Sequence, residues 1–140
     1  MTQSLEDYLE SVSFLAEEHE GLVRITDIAE RLKVSKPSVV NAMRSLEEQG
    51  FVVYKHYGTI TLTKSGKTRA ALIRDRHLVL TRFISDFLGV PLGIAEADAC
   101  KIEHVLSEET LKQLKHYIAK HASIAHTSKA GNQNKHTEPT

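Results

Sequence analysis

The sequence has no tryptophan, three prolines and a single cysteine in 140 residues. Because Cys100 is alone, the chain cannot form an internal disulfide, and one thiol fits a reducing compartment. No apolar run approaches the roughly 20 residues that a membrane-spanning helix needs. The start lacks the basic-then-apolar pattern of a secretory signal, so we expect a cytoplasmic protein with no membrane partner.

The formal net charge is zero, but the charges are unevenly distributed. Residues 1–19 contain five acidic side chains and no lysine or arginine. Residues 20–76 contain eleven basic side chains against six acidic ones, a surplus of five positive charges. A locally basic segment in a neutral chain favours a polyanion partner for that segment, although a solvated basic face has the same composition.

Apolar periodicity predicts three helices in the first fifty residues. The first covers about residues 4–19 with Ser4 as its N-cap, and the second is centred on Ile28. A tight turn leads to a third helix, which Ser35 caps and Gly50 ends. Two short helices joined by a tight turn form a helix-turn-helix pattern.

Residues 51–54 and 59–62 have the composition of two short strands, separated by a turn with basic and aromatic side chains. A helix-turn-helix followed by a hairpin is typical of a winged helix, whereas a small α+β domain that only packs its apolar residues is the alternative. The candidate DNA contacts are polar, basic and turn residues of these elements, namely Thr26, Ser35, Lys36, Pro37, Ser38, Asn41, Arg44, Lys55 and Tyr57.

The rest of the chain is predicted to be helical. Thr63 caps a long helix to about Leu88, a glycine- and proline-containing break follows, and a short helix covers about residues 94–106. Ser107 caps a last helix. The predicted fold is mainly α, with a winged helix of three helices and a two-stranded wing over 1–72, a helical unit over 73–122 and a disordered tail over 123–140.

Cys100, Glu103 and His104 share one face if the helix over 94–106 is continuous. They would present a thiolate, a carboxylate and an imidazole, which are the side chains that bind first-row transition metals. We interpret them as half of a metal sensor. The alternative is an ordinary helix surface with a buried cysteine. A cysteine hydrolase is disfavoured, because no oxyanion-hole loop or orienting partner is evident, and we expect no enzymatic activity.

Several segments, in the same order and spacing, resemble the diphtheria toxin repressor family of metal-dependent transcriptional regulators. They are Leu5–Glu10, Asp27–Ala29, Ser35–Val39, Leu62–Gly66, Arg76–His77 and Cys100–Ser107. The resemblance covers about residues 4–120 and implies a homodimeric repressor that binds double-stranded operator DNA when loaded with metal. The helical unit would then serve metal binding and dimerisation. Iron-type members usually carry a further SH3-like domain, for which this chain is too short, so it is most similar to the manganese transport regulator branch.

The resemblance also implies a set of metal ligands. They are Asp7, Glu10, His77, Glu103 and His104, with Cys100 at a sixth position. The manganese branch has Glu where this chain has Cys100, and iron-type members have Met where it has Asp7. Oxygen ligands suit Mn(II), whereas a thiolate favours Fe(II), Co(II) or Zn(II).

We therefore expect a Mn(II)-dependent repressor of metal-uptake genes. An Fe(II)-responsive repressor of the same family is the alternative, and other divalent transition metals could bind in vitro. A winged-helix regulator that senses a small organic ligand is a further alternative, although it leaves the metal-ligand positions unexplained.

Overall fold

The structure, a computed structural model, describes residues 1–122. The chain divides into two compact units, Met1–Arg74 and the part from Asp75 onward. The predicted tail over 123–140 lies outside the described residues. Within residues 1–122, no helix combines the length and apolarity that crossing a bilayer requires.

The first unit has the winged-helix order of elements that the sequence predicts. Its elements are α1 (Gln3–Glu18), β1 (Val23–Arg24), α2 (Ile25–Leu32), α3 (Lys36–Glu48), β2 (Val52–Tyr54) and β3 (Thr59–Leu62). The strands form an antiparallel sheet in the order β1-β3-β2, with Val23 opposite Ile60 and Val53 opposite Thr61. The wing therefore gains a third strand, β1, whose two residues are too few to show an alternating pattern.

Side-chain caps determine where the helices of this unit begin. The prediction of Ser4 as the first N-cap is wrong, because the Thr2 hydroxyl accepts the Leu5 N–H at 3.2 Å and α1 begins at Gln3. The prediction of Ser35 is confirmed, since its hydroxyl accepts the Ser38 N–H at 3.3 Å. Pro37 lies in the first turn of α3, where its missing N–H costs no hydrogen bond.

The core of the first unit is built from one face of each helix together with the sheet. Leu9 of α1, Ile28 of α2, Met43 and Leu46 of α3, and Ile60 of β3 are all fully buried. Helical spacing of three and four residues places such side chains on a single face. The opposite face of α3 is consequently left at the surface.

Helix α4 (Lys64–Arg82) begins in the first unit and continues into the second. A π-helical segment (Phe83–Phe87), α5 (Leu92–Ile102) and α6 (Glu108–Lys120) follow. The predicted long helix to about Leu88 is therefore confirmed in extent, to Phe87, but its last five residues are π-helical, which was not predicted. The Leu88 N–H donates to the Phe83 carbonyl at 3.2 Å, five residues back, and the Phe83 and Phe87 rings stack at 5.8 Å.

Helix α5 ends about four residues earlier than predicted. The N–H groups of Val105 and Leu106 both donate to the Ile102 carbonyl, at 3.0 and 3.1 Å, and close the turn. Ser107 is then extended and accepts the Thr110 N–H at 3.1 Å, which confirms it as the N-cap of α6. An extended cap residue cannot continue a helix, so α5 must stop before it.

Gly66, in the first turn of α4, packs directly against the loop that follows α3. A Cβ atom at this position would lie 1.9 Å from the Phe51 carbonyl oxygen. The Thr63 hydroxyl accepts the Gly66 N–H at 3.0 Å and donates to the Gly50 carbonyl at 2.6 Å, which confirms Thr63 as a cap. This close approach leaves no room for a side chain.

We expect Gly66→Ala to lower the free energy of unfolding by about 1–3 kcal/mol, because the Phe51 backbone must move away. Gly93→Ala is the matched control, since that helical glycine has open space around its Cβ position among the described residues. Its stability should stay unchanged or rise by up to about 1 kcal/mol. Urea unfolding followed by circular dichroism measures both. Equal stabilities for the two variants would contradict the packing argument.

Candidate metal centre and nucleic-acid interface

Glu103 is a buried carboxylate in the second unit, with 1% of the residue exposed. One of its oxygens, Oε2, lies 2.8 Å from Nδ1 of His77 on α4. The other, Oε1, lies 3.4 Å from Nε2 of His104, whose side chain is also only 1% exposed. Two imidazoles thus flank the two oxygens of this carboxylate. Without such neighbours, its burial would carry a large desolvation cost.

The turn after α5 places these groups, and a continuous helix face does not. Glu103 is the C-cap of α5 and keeps a helical backbone, donating its N–H to the Ala99 carbonyl at 2.9 Å. His104 lies beyond the helix, in the turn that Ile102 closes. The expectation that helical periodicity carries both residues is therefore wrong for His104.

Cys100 lies on α5, three residues before Glu103, and is exposed. The alternative of an ordinary surface with a buried cysteine is contradicted, because the carboxylate is buried and the thiol is not. An exposed thiol keeps its capacity to bind a soft or borderline metal ion.

Asp7 and Glu10 lie in the first unit, three residues apart on α1, and both are partly buried. The Oε2 atom of Glu10 is buried and has no hydrogen-bond partner among residues 1–122. Burying a carboxylate oxygen without a partner carries a desolvation cost that a bound cation would offset. Glu10 is thus suited to cation binding.

The donor atoms fit a divalent ion of the first transition row. In the second unit the candidate donors are the Glu103 carboxylate and the two imidazoles that lie 2.8 and 3.4 Å from its oxygens. The first unit, considered by itself, carries two carboxylates on α1. Oxygen and nitrogen donors of this kind suit Mn(II) and Fe(II).

The candidate DNA contacts of the helix-turn-helix all lie at the surface of the first unit. Along α2 and α3 the exposed members are Thr26, Ser35, Lys36, Pro37, Ser38, Asn41 and Arg44. On the opposite side of α3, Val39, Ala42, Met43 and Leu46 are buried. The polar and basic face of α3 is therefore available to an external partner.

The other two candidates, Lys55 and Tyr57, lie in the turn between β2 and β3, and Tyr57 is 70% exposed. The Gly58 N–H donates to the Lys55 carbonyl at 2.9 Å and shapes the turn. The Gly58 carbonyl accepts the Ile25 N–H at 3.3 Å, which ties the tip of the hairpin to the start of α2. The wing and the helix-turn-helix are thus held together within one unit.

Models of two domains of one protein family match the chain. The N-terminal DNA-binding domain of the iron-dependent repressors matches residues 1–60, and their metal-binding and dimerisation domain matches residues 63–129. The chain belongs to the iron-dependent repressor family. This family includes the diphtheria toxin repressor and confirms the resemblance inferred from the sequence motifs.

Individual relatives agree with this assignment. The chain is 38% identical over 120 residues to an uncharacterized HTH-type transcriptional regulator of Methanocaldococcus jannaschii, covering 86% of this chain and 96% of the relative. It is 35% identical over 119 residues to the transcriptional regulator MntR of Escherichia coli, covering 85% and 76%.

A solved manganese-dependent transcriptional repressor in complex with manganese is also similar, with a TM-score of 0.74 at 29% identity. The match covers 82% of this chain and 52% of the solved one, so the chain spans about half the length of that structure.

Membership establishes the general class of the protein. It is a metal-dependent transcriptional repressor of this family, with a DNA-binding domain followed by a helical dimerisation domain. The family consists of transcriptional regulators, so the cysteine hydrolase alternative is overturned. A regulator that senses only a small organic ligand is also disfavoured, because the family responds to metal.

Periodicity does not predict the contacts of Arg76, which precedes His77 on α4. Its guanidinium donates to the Glu103 carbonyl at 3.3 Å. In the sequence it appears only as part of the Arg76–His77 motif, and the sole available signal is a basic residue next to a candidate ligand. A contact between residues 27 positions apart depends on how the helices pack.

We expect Glu103→Gln to weaken Mn(II) binding, because it removes a buried carboxylate oxygen donor. Loss of a residue that only supports a ligand weakens binding roughly 10–100-fold, and loss of this ligand should weaken it more. The control is Glu109→Gln, an exposed acid in the first turn of α6, whose charge is screened by solvent. Calorimetric titration of the metal-free protein measures both affinities. Equal affinities for the two variants would show that Glu103 is not a ligand.

Proposed function

We propose that this protein is a Mn(II)-activated repressor that binds operator DNA as a homodimer and controls metal-uptake genes in the cytoplasm. The observation that carries the proposal is the buried Glu103 carboxylate between the His77 and His104 imidazoles. The similarity to MntR of Escherichia coli and to a manganese-bound repressor structure supports the choice of metal.

The proposed metal ligands are the residues that the family resemblance implies, namely Asp7, Glu10, His77, Cys100, Glu103 and His104. When bound, a divalent ion supplies the positive charge that the carboxylates of this set lack. Glu103 and His104 offer donor atoms that are already desolvated, and His77 keeps the Glu103 carboxylate oriented. Donor atoms held in place before binding lose less conformational entropy when the ion arrives.

In the proposed DNA complex, α3 enters the major groove. Ser35, Lys36 and Ser38 at its N-terminal end, with Asn41 and Arg44 further along, would contact base edges and phosphates. Lys55 and Tyr57 of the wing would contact the neighbouring backbone. In a homodimer, two copies of α3 must lie about 34–36 Å apart to reach successive major grooves.

Packing within the first unit connects α1 with the helix-turn-helix. Leu9 and Val12 of α1 belong to the same core as Ile28 of α2 and Met43 of α3. At the surface, the guanidinium of Arg31 lies 4.8 Å from the centre of the Phe14 ring on α1. A restraint on α1, which carries Asp7 and Glu10, would therefore restrict α2 and α3 as well.

Fe(II) is the second candidate for the activating metal. The observation that favours it is the exposed Cys100 thiol on α5, three residues before Glu103 in the sequence. Thiolate ligation stabilises Fe(II), Co(II) or Zn(II) more than Mn(II). A comparison of metals in one assay separates the two candidates.

We expect the purified protein to enrich a palindromic duplex from a random-sequence pool with Mn(II) present, and not with a chelator, because only the metal-bound dimer sets the spacing of the two α3 helices. Titrations with Mn(II), Fe(II), Co(II) and Zn(II) at constant ionic strength then rank the metals by operator affinity. Constant salt is essential, because phosphate contacts depend strongly on it. An operator affinity that is the same with metal and with chelator would refute the proposal.

For the DNA interface, we expect Lys36→Ala to weaken binding to all sequences and to reduce the slope of log affinity against log salt by about 1, as the loss of one phosphate contact does. Arg44→Ala, which removes the proposed base contact, should weaken operator binding by about 1–3 kcal/mol and relax specificity at one position. The control, Lys120→Ala, removes an exposed charge at the end of α6. Fluorescence anisotropy at several salt concentrations measures the DNA affinity of all three variants. Equal affinities for the three would show that the interface lies elsewhere.

A further inference from the structure

We propose that Arg76 is a positioning residue for the metal centre, holding the turn between α5 and α6 in the shape that presents Glu103 and His104. The inference rests on the proposed metal binding by these two residues. Arg76 is not itself a ligand, because a guanidinium stays protonated and has no lone pair to offer.

The guanidinium of Arg76 reaches two carbonyls of this turn and the helix that follows it. Its Nη1 donates to the Glu103 carbonyl at 3.3 Å and, more weakly, to the Leu106 carbonyl at 3.5 Å. Its Nη2 pairs with a carboxylate oxygen of Glu108 in the first turn of α6. One side chain of α4 therefore contacts both ends of the turn.

These carbonyls need donors for a specific reason. The last carbonyls of a helix have no partner within the helix, and the Ile102 carbonyl already serves Val105 and Leu106. A cation at the C-terminal end of α5 also interacts favourably with the helix dipole. The Arg76 side chain is 20% exposed, so solvent screens these contacts less than it screens a surface ion pair.

Glu103 is consequently held at two points by neighbouring residues of α4. Arg76 holds its main-chain carbonyl, and His77 lies 2.8 Å from its carboxylate. With both ends restrained, the side chain has little freedom to leave its present orientation. His104 follows directly in the chain, so the same restraint limits where its imidazole can lie.

The Glu108 ion pair and the carbonyl contacts of Arg76 contribute unequally to holding the turn. Glu108 is 85% exposed, and exposed ion pairs contribute little. The carbonyl contacts of Arg76 act on the backbone that carries the ligands. Glu108→Gln therefore removes the ion pair while leaving the contacts that matter, and it serves as a matched control for Arg76→Ala.

The test compares wild type with four variants of the full chain, Arg76→Ala, Arg76→Lys, Glu108→Gln and Arg82→Ala. Arg82 lies on the same helix and is 55% exposed. We expect Arg76→Ala to weaken Mn(II) binding about 10–100-fold, as the loss of outer-shell partners does. It should also change the visible spectrum of the Co(II)-saturated protein. Glu108→Gln and Arg82→Ala should match wild type, and Arg76→Lys should recover part of the affinity because one ammonium can still reach a carbonyl.

A readout without metal separates this inference from the proposed function. Hydrogen exchange of the amides of residues 103–107 in the metal-free protein should speed up in Arg76→Ala and not in Arg82→Ala. If wild type binds metal and Arg76→Ala keeps its affinity, Co(II) spectrum and exchange rates, the positioning role is wrong. If wild type binds no metal, the proposed function fails, and the exchange rates still report on the turn.

A destabilising effect of the alanine variant does not block the test. If Arg76→Ala fails to fold, Arg76→Lys decides the outcome. A folded Arg76→Lys protein with weaker metal binding and an altered Co(II) spectrum supports the positioning role, whereas wild-type binding and spectrum overturn it.

Discussion

The candidate metal centre depends on keeping one carboxylate, that of Glu103, out of water. A buried carboxylate carries a desolvation cost of several kcal/mol unless nearby charges and hydrogen bonds compensate it. His77 and His104 flank its two oxygens, and Arg76 holds its carbonyl. The α5–α6 turn is therefore anchored to α4 at the point where the candidate ligands lie. In the proposed repressor, a divalent ion would compensate this carboxylate and would meet donor atoms already held in place.

The first unit shows the complementary arrangement, in which burial of one face leaves another face for a partner. Val39, Met43 and Leu46 bind α3 into the core, and Arg44 with its polar neighbours is left outside. The α1 helix joins the same core through Leu9. Because close-packed interiors transmit strain, a restraint on α1 also restricts the movement of α3. In the proposed repressor, this packing is the physical basis on which metal binding could alter DNA binding.

Local chemistry in the sequence predicted much of the fold. Ser35, Thr63 and Ser107 cap helices as expected, since an N-cap needs only its own side chain and the next turn. Ser4 failed, because Thr2 competes for the same role two residues earlier. Strand β1 was missed, because two residues carry no periodicity and form a strand only by pairing with β3. The candidate ligands came from family motifs more than from patterning, and the exposure of Cys100 could not be inferred from either.

By itself, the sequence determined the helices and the two wing strands in their order, the apolar faces, three of the helix caps and the family, because these depend on residues a few positions apart or on motifs read in order. Only the tertiary structure decided that Glu103 is buried, that His104 lies in a turn beyond α5, and that Arg76 reaches carbonyls 27 and 30 residues away. Burial and long-range hydrogen bonds depend on which helices pack together and at what depth. No local spacing encodes that depth, since the same amphipathic pattern is compatible with many packing arrangements.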